Sequence, residues 1–187
     1  MRAKKCKVCR ESFAPTKPMQ VACSLDCALE LARRKLEKDA EKEVRARKES
    51  LKSLSDYTKE AQAAFNAYIR ERDKDKPCIC CNGASSLHNS RGGDWDCGHY
   101  RSTGAVPHLR FHVDNAHRQR KYCNQYLSGN AVEYRKGLIA RIGLERVEAL
   151  ENDNHTHKWT RDELIAIRDK YRAKLRELKK GADWPMK

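Results

Sequence analysis

The sequence predicts an α+β protein, mostly α, assembled from small pieces rather than around one large core. Composition is the first observation behind that reading. Of 187 residues only 39% are hydrophobic and 7% aromatic, while 35% are charged, so little apolar surface is available per residue. The second is nine cysteines gathered in close groups, the mark of small metal-stapled units. The third is a set of long charged stretches, free of Gly and Pro, whose apolar residues recur at helical spacing. Four segments follow: a zinc finger over 1–27, a helical connector over 28–77, a cysteine- and histidine-rich unit over 78–135, and a C-terminal helical segment over 136–187.

In the first segment Cys6-x2-Cys9 and Cys23-x3-Cys27 are thirteen residues apart, with Pro15 and Pro18 in the turn between them. Two close thiolate pairs joined by a hairpin are what tetrahedral zinc requires. A piece this small cannot bury enough surface to fold otherwise, so metal binding and folding are expected to be coupled. Lys4, Lys5, Lys7, Arg10 and Lys17 surround these ligands. The finger therefore reads either as a phosphate contact or as a purely structural unit.

The connector begins with a charged run carrying Leu29, Leu36, Ala40, Val44 and Leu51, interrupted by Glu43 and Arg47. It predicts one long, largely solvated helix that can pair with another helix. The apolar heptad is not sustained, which argues against a stable coiled coil. Ser53 to Asp56 reads as a break and a new cap. A second helix then carries Tyr57, Ala61, Ala64, Phe65, Tyr68 and Ile69 on one face and ends by Pro77.

From Cys78 to Asn115 there are few helix formers and three glycines between 92 and 98, which predicts loops and a β-hairpin, with a helix resuming near Asn115. In the last segment Thr160-Arg161-Asp162-Glu163 is a capping box. Leu164, Ile167, Tyr171, Leu175 and Leu178 then form a packing stripe. No internal repeat is legible.

The net charge of +14 is spread, with the four segments carrying +4, +3, +3 and +4. An even positive field suits a polyanion touching several segments, and nucleic acid is the usual one. No stretch approaches the ~20 apolar residues of a membrane span, and Met1-Arg2-Ala3-Lys4-Lys5-Cys6 lacks the apolar core of a secretory signal. The chain reads as cytoplasmic, where clustered thiols serve metals rather than disulfides.

The third segment contains Cys78-Ile79-Cys80-Cys81, Asp96-Cys97-Gly98-His99-Tyr100, Asp114-Asn115-Ala116-His117, Cys123-Asn124 and Gly129-Asn130. In order and spacing this run resembles the HNH nucleases. More narrowly, DCGHYRSTGAVPHLRFHVDNAH, then YCNQYLSGN, then EYRKGLIARIG, is similar to the NinG (Rap) recombination proteins of lambdoid phages, over essentially the whole chain. The resemblance implies a central HNH-like ββα-metal unit and an endonuclease acting on branched DNA, Holliday junctions and D-loops, in the host cytoplasm. It implies His99 as the general base, Asp96 and Asn130 as ligands of one Mg²⁺ or Mn²⁺, and Asn115 as a brace for the loop that orients His99. Products would carry 5′ phosphates and 3′ hydroxyls.

Asp96 lies three residues before His99 rather than one, although positions one and three back share a strand face. The last motif position is Asn130 in place of His. HNH proteins with a zinc knuckle use two Cys-x2-Cys pairs, here Cys78 with Cys81 and a pair ending at Cys123, but the expected partner at 120 is Arg120, which cannot ligate. Cys80, Cys97 or His117 is left to complete the set. Arg101, Arg110, Arg118, Arg120 and Lys121 flank the centre as candidate DNA contacts, and His108 and His112 read as supporting groups or exposed residues. Symmetric cutting of a four-way junction suggests a homodimer. Phage or host recombination proteins are further expected partners. The competing reading is a non-catalytic zinc-finger adaptor that binds DNA and recruits recombination proteins. A scaffold built on the helices of 28–75 is a third.

Overall fold

A computed structural model describes residues 2–83 and 94–182. Gly92 and Gly93, from the glycine-rich approach to the expected hairpin, and the last five residues of the C-terminal segment lie outside the described residues. The chain divides into two compact units, Met1–Lys52 and Ser53–Lys187. The division falls inside the 28–77 stretch, so its two helices belong to different units.

In the first unit, strands β1 (Lys4–Lys5) and β2 (Ser12–Phe13) form a short antiparallel hairpin with Lys4 opposite Phe13. Helix α1 (Leu25–Ser50) follows and starts three residues before the charged run, because the Ser24 hydroxyl accepts the Cys27 N–H at 3.2 Å. Asp26 in its first turn and Arg47 and Lys48 in its last turn complement the helix dipole. Glu30 pairs with Arg33 and Arg34, and Arg33 with Glu37, on the solvated surface. No residue of α1 is buried.

The second unit opens with α2 (Leu54–Arg72), whose Ser53 and Asp56 exchange the reciprocal bonds of a capping box. Tyr57, Ala61, Phe65 and Ile69, spaced four apart on one face, are buried against Leu164 and Tyr171 of α5 (Arg161–Ala182). Phe65 meets Tyr171 edge-to-face at 4.8 Å. The Thr160–Glu163 box caps α5, with Thr160 N–H donating to Glu163 at 2.8 Å.

Strands β3 (Trp95–His99) and β4 (Ala116–Arg120) pair antiparallel, Asp96 opposite Gln119 and His99 opposite Ala116. The helix expected to resume near Asn115 is therefore corrected to a strand. Nothing in AHRQR favours extension locally. Tertiary pairing decides it, burying Ala116, His117 and Gln119 between two layers. Cys97 and Ala116 face the α2 core. Gly98, His117 and Gln119 face the other way, toward Tyr134 and Gly129.

After a π-helical turn (Tyr122–Tyr126) come α3 (Ala131–Ile142) and α4 (Leu144–Asn152). Gly143, at φ 86°, makes the corner between them, a backbone state that favours glycine. Cys78, Ile79, Leu109, Tyr134, Leu138, Val147 and Leu150 form the second core. At the end of α2, buried Asp73 binds Arg72 at 2.6 Å and the Arg118 N–H at 3.2 Å. Arg72 in turn donates to the carbonyls of Val113 and Ala116, both at 2.9 Å, which fastens α2 to β4. No helix among the described residues is long and apolar enough to cross a membrane.

Candidate active site and metal clusters

Both thiol groups assemble. Cys6, Cys9, Cys23 and Cys27 form one, and Cys78, Cys80, Cys81 and Cys123 the other, with the sulfurs of each within 4.8 Å of one another. Four thiolates around zinc at ~2.3 Å bonds sit about 3.8 Å apart. The distances here are 3.5 Å for Cys9–Cys23, 3.7 Å for Cys23–Cys27 and 3.6 Å for Cys78–Cys80. Donor number, type and spacing therefore fit a zinc ion in each group.

The two groups share a turn the sequence does not advertise. Arg10 N–H donates to the Cys6 carbonyl and Asn82 N–H to that of Cys78, both at 3.1 Å, with Arg10 and Asn82 at φ 68° and 54°. Cys6 N–H then bonds Glu11 O and Cys78 N–H bonds Gly83 O. This is the same knuckle used twice. It escapes detection because the shared feature is backbone conformation, carried by dissimilar side chains.

The fourth sulfur of the second group is Cys80. Cys97 lies in the α2 core, where burial pushes its thiol up to about 12, and so is excluded as the ligand. His117 stands outside the group beside Tyr134, and burial holds it down to about 3. Arg120 contributes through its backbone: its N–H points at Cys78 Sγ at 3.3 Å, while Gln119 Nε2 points at Cys80 Sγ at 3.3 Å. These bonds favour the charged thiolate. The neighbouring Cys80 thiol, then the Arg120 N–H, hold Cys78 down to about 4.

His99 ends β3, half-buried beside the Phe65 ring, with Nε2 at 3.1 Å from the Arg110 carbonyl. Burial lowers its pKa from the ordinary histidine value, against the pull of that carbonyl, so the ring is neutral at pH 7. The loop supplying the carbonyl is clamped by Asn115, which is fully buried. Its side chain accepts from Arg101 N–H at 2.8 Å and donates to the carbonyls of Arg101 and Leu109 at 3.0 and 3.1 Å.

Asp96 faces elsewhere. Its Oδ2 accepts from Asn124 Nδ2 at 3.0 Å and Gln125 Nε2 at 2.9 Å. Asn130, at φ 50°, precedes α3, and its backbone bonds Leu127 and Tyr134. No hydrogen bond joins Asp96 to Asn130, and Asp96 belongs to neither group of metal-binding side chains found among the described residues. The sequence reading includes Asn124 in its motif run without giving it a role, and it overlooks Gln125; both are partners of Asp96. For Gln125 the signal was its place two residues after Cys123.

The flanking arginines hold protein groups. Arg101 caps α4 through the carbonyls of Leu150 and Asp153 at 2.8 and 2.7 Å. Arg110 reaches Gln62 and the Thr103 carbonyl. Arg118 binds the Asp73 and Lys74 carbonyls and stacks on Trp95 at 3.8 Å. Arg120 Nε is buried, and Lys121 N–H bonds the Asp94 carbonyl. His108 contacts Asp153 at 3.1 Å, and His112 is exposed. Beside Trp95, a groove of about 390 Å³ is lined by Arg70, Lys74, Arg118 and Lys179 among others, with Glu71 and Asp94.

The model of a known family, described as "Bacteriophage Lambda NinG protein", matches residues 1–181. The chain belongs to the NinG family. This NinG chain is 43% identical over 194 residues to the protein ninG of Escherichia phage 933W, covering 94% of each. It is 42% identical over 189 residues to those of Escherichia phage lambda and Salmonella phage P22, covering 91% of this chain and 90% of each relative. No solved structure matches it significantly.

Proposed function

We propose that this NinG chain is a metal-dependent endonuclease of phage recombination, cutting phosphodiesters in branched DNA in the host cytoplasm, with an HNH-like ββα-metal unit as its catalytic part. The observation that carries the reading is His99. It is a neutral, half-buried imidazole at the end of β3, oriented by the Arg110 carbonyl of a loop that Asn115 locks. A base poised in this way can take a proton from an attacking water near pH 7. Nε2 carries the N–H toward the Arg110 carbonyl, so in this reading Nδ1 would be the base, with the Cys97 backbone also close to the ring.

Mg²⁺ or Mn²⁺ bound at Asp96 and Asn130 would supply charge stabilisation at the scissile phosphate and the leaving 3′ oxygen. Asp96 offers a carboxylate and Asn130 an amide oxygen, a donor class suited to those ions. The zinc clusters do no chemistry in this scheme. The second one ties the 78–82 knuckle to the turn that presents Asn124 and Gln125. Net positive charge and the groove beside Trp95 suit the DNA partner.

The competing reading is a non-catalytic zinc-finger adaptor that recruits phage or host recombination proteins. Two observations favour it: the Asp96 carboxylate is already met by two amide donors, and Arg101, Arg110 and Arg118 are spent on protein carbonyls. Cleavage of a labelled four-way junction and of matching linear duplex, with Mg²⁺, with Mn²⁺ and with EDTA, separates the two. Junction cutting that needs the metal and disappears in His99→Ala supports the nuclease. Binding without cutting at any enzyme excess moves the assignment to the adaptor.

A further inference from the structure

Helix α1 is the longest element among the described residues, and its packing is left unfinished. None of its 26 residues is buried. Leu25, Leu29, Leu36, Val44 and Leu51 are 52–75% exposed. Their spacing is eleven rather than seven: Leu25 to Leu36, Leu29 to Ala40 to Leu51, with Ala32 and Val44 filling the turns between. Eleven residues in three turns match a nearly straight helix, so the stripe stays on one face for the full length, about 39 Å. Scanning for heptads misses it.

We propose that this stripe is an interaction surface for a second copy of the chain, with the two α1 helices pairing antiparallel about a two-fold axis at Lys38. In that register Leu25 packs on the partner's Leu51, Leu29 on the aliphatic stem of the partner's Arg47, Ala32 on the partner's Val44 and Leu36 on the partner's Ala40. Each small residue meets a large one, as interdigitating layers require. Parallel pairing fails on the same residues: it sets Arg47 against the partner's Arg47 in the seam and places alanine opposite alanine at 32 and 40, leaving gaps.

The charges agree. Asp26 and Lys48 lie on one flank of the stripe, Lys35 and Asp39 on the other, and none of the four has an ion-pair partner in its own chain among the described residues. Antiparallel pairing carries Asp26 toward the partner's Lys48 and Lys35 toward the partner's Asp39, so each of these two acids meets a base. The contact is self-complementary and closes at two copies. It does not depend on any chemistry at His99.

Sedimentation of the full zinc-loaded chain across a wide concentration range tests this. Reversible dimerisation is expected, weakened by at least about tenfold in Leu36→Glu, with helix content by circular dichroism unchanged because the position is exposed. Lys35→Glu should weaken the dimer, and the added Asp39→Lys should restore it by exchanging the pair. A chain that is monomeric throughout, or a dimer indifferent to Leu36→Glu, overturns the proposal. A charge exchange that fails to restore association overturns the antiparallel register.

Discussion

Single residues decide how the candidate centre responds to change. Asn115 makes three hydrogen bonds from a fully buried position. Asn115→Ala leaves one N–H and two carbonyls without their side-chain partner, and a loss of about 2–4 kcal/mol is expected by urea melting. The Arg110 carbonyl would lose its fixed place with it, so the pH profile of any cleavage should shift as well. His117 sets an acid limit on stability. Its folded pKa is about 3, held there by burial and then by Arg72, against 6.5 unfolded. Below pH 6.5 the unfolded chain takes a proton that the folded chain refuses until about pH 3. Stability therefore falls through that window, by about 1.4 kcal/mol per pH unit, and is unaffected above it. His99, also lowered, acts in the same direction. His117→Phe should flatten the acid limb by one proton's worth while the His99 share remains; an unchanged slope would contradict the assignment.

Elements are joined at a few close approaches. A Cβ on Gly137 would lie 1.8 Å from the Ile79 carbonyl oxygen, which is backbone and cannot rotate away. The 78–82 knuckle thus rests directly on α3. Gly137→Ala is expected to cost about 3 kcal/mol or more and to weaken metal retention by the second thiol group, read by release of bound zinc to a chelating dye. At the other junction, Asp73 holds the end of α2 to β4. Removing it as Asp73→Ala strands Arg72 in a buried setting, and a loss of about 3–5 kcal/mol should follow in denaturant melts. The starts of α2 and α5 were legible at this scale. The Ser53–Asp56 and Thr160–Glu163 boxes are local chemistry, written in four consecutive residues each. Strand β4 was not, since AHRQR becomes a strand only because β3 offers it a partner and both layers bury it.

On the scale of the molecule, the two units differ in what holds them. Among the described residues the first has only Cys6, Pro15 and Ala22 buried, so its hairpin depends on thiol ligation, whereas the second has two apolar clusters. Chelation should therefore release the 1–27 hairpin first. Hydrogen exchange is expected to show loss of protection over residues 4–27 while α2 and α5 stay protected. Simultaneous loss everywhere would mean that the units are not independent.

Sequence alone determined the first thiol group and three sulfurs of the second, the caps of α2 and α5, most of the buried faces of those two helices, and the kinship to the NinG family, because each is written in neighbouring residues or a fixed spacing. Tertiary structure decided the rest. It chose Cys80 over Cys97 and His117, turned Asp96 toward Asn124 and Gln125, and drew Arg101, Arg110 and Arg118 onto protein carbonyls. Each of those outcomes depends on which polar groups remain unmet once distant segments pack. A buried carbonyl or carboxylate takes the nearest donor that the fold brings to it, and no local pattern names that donor in advance.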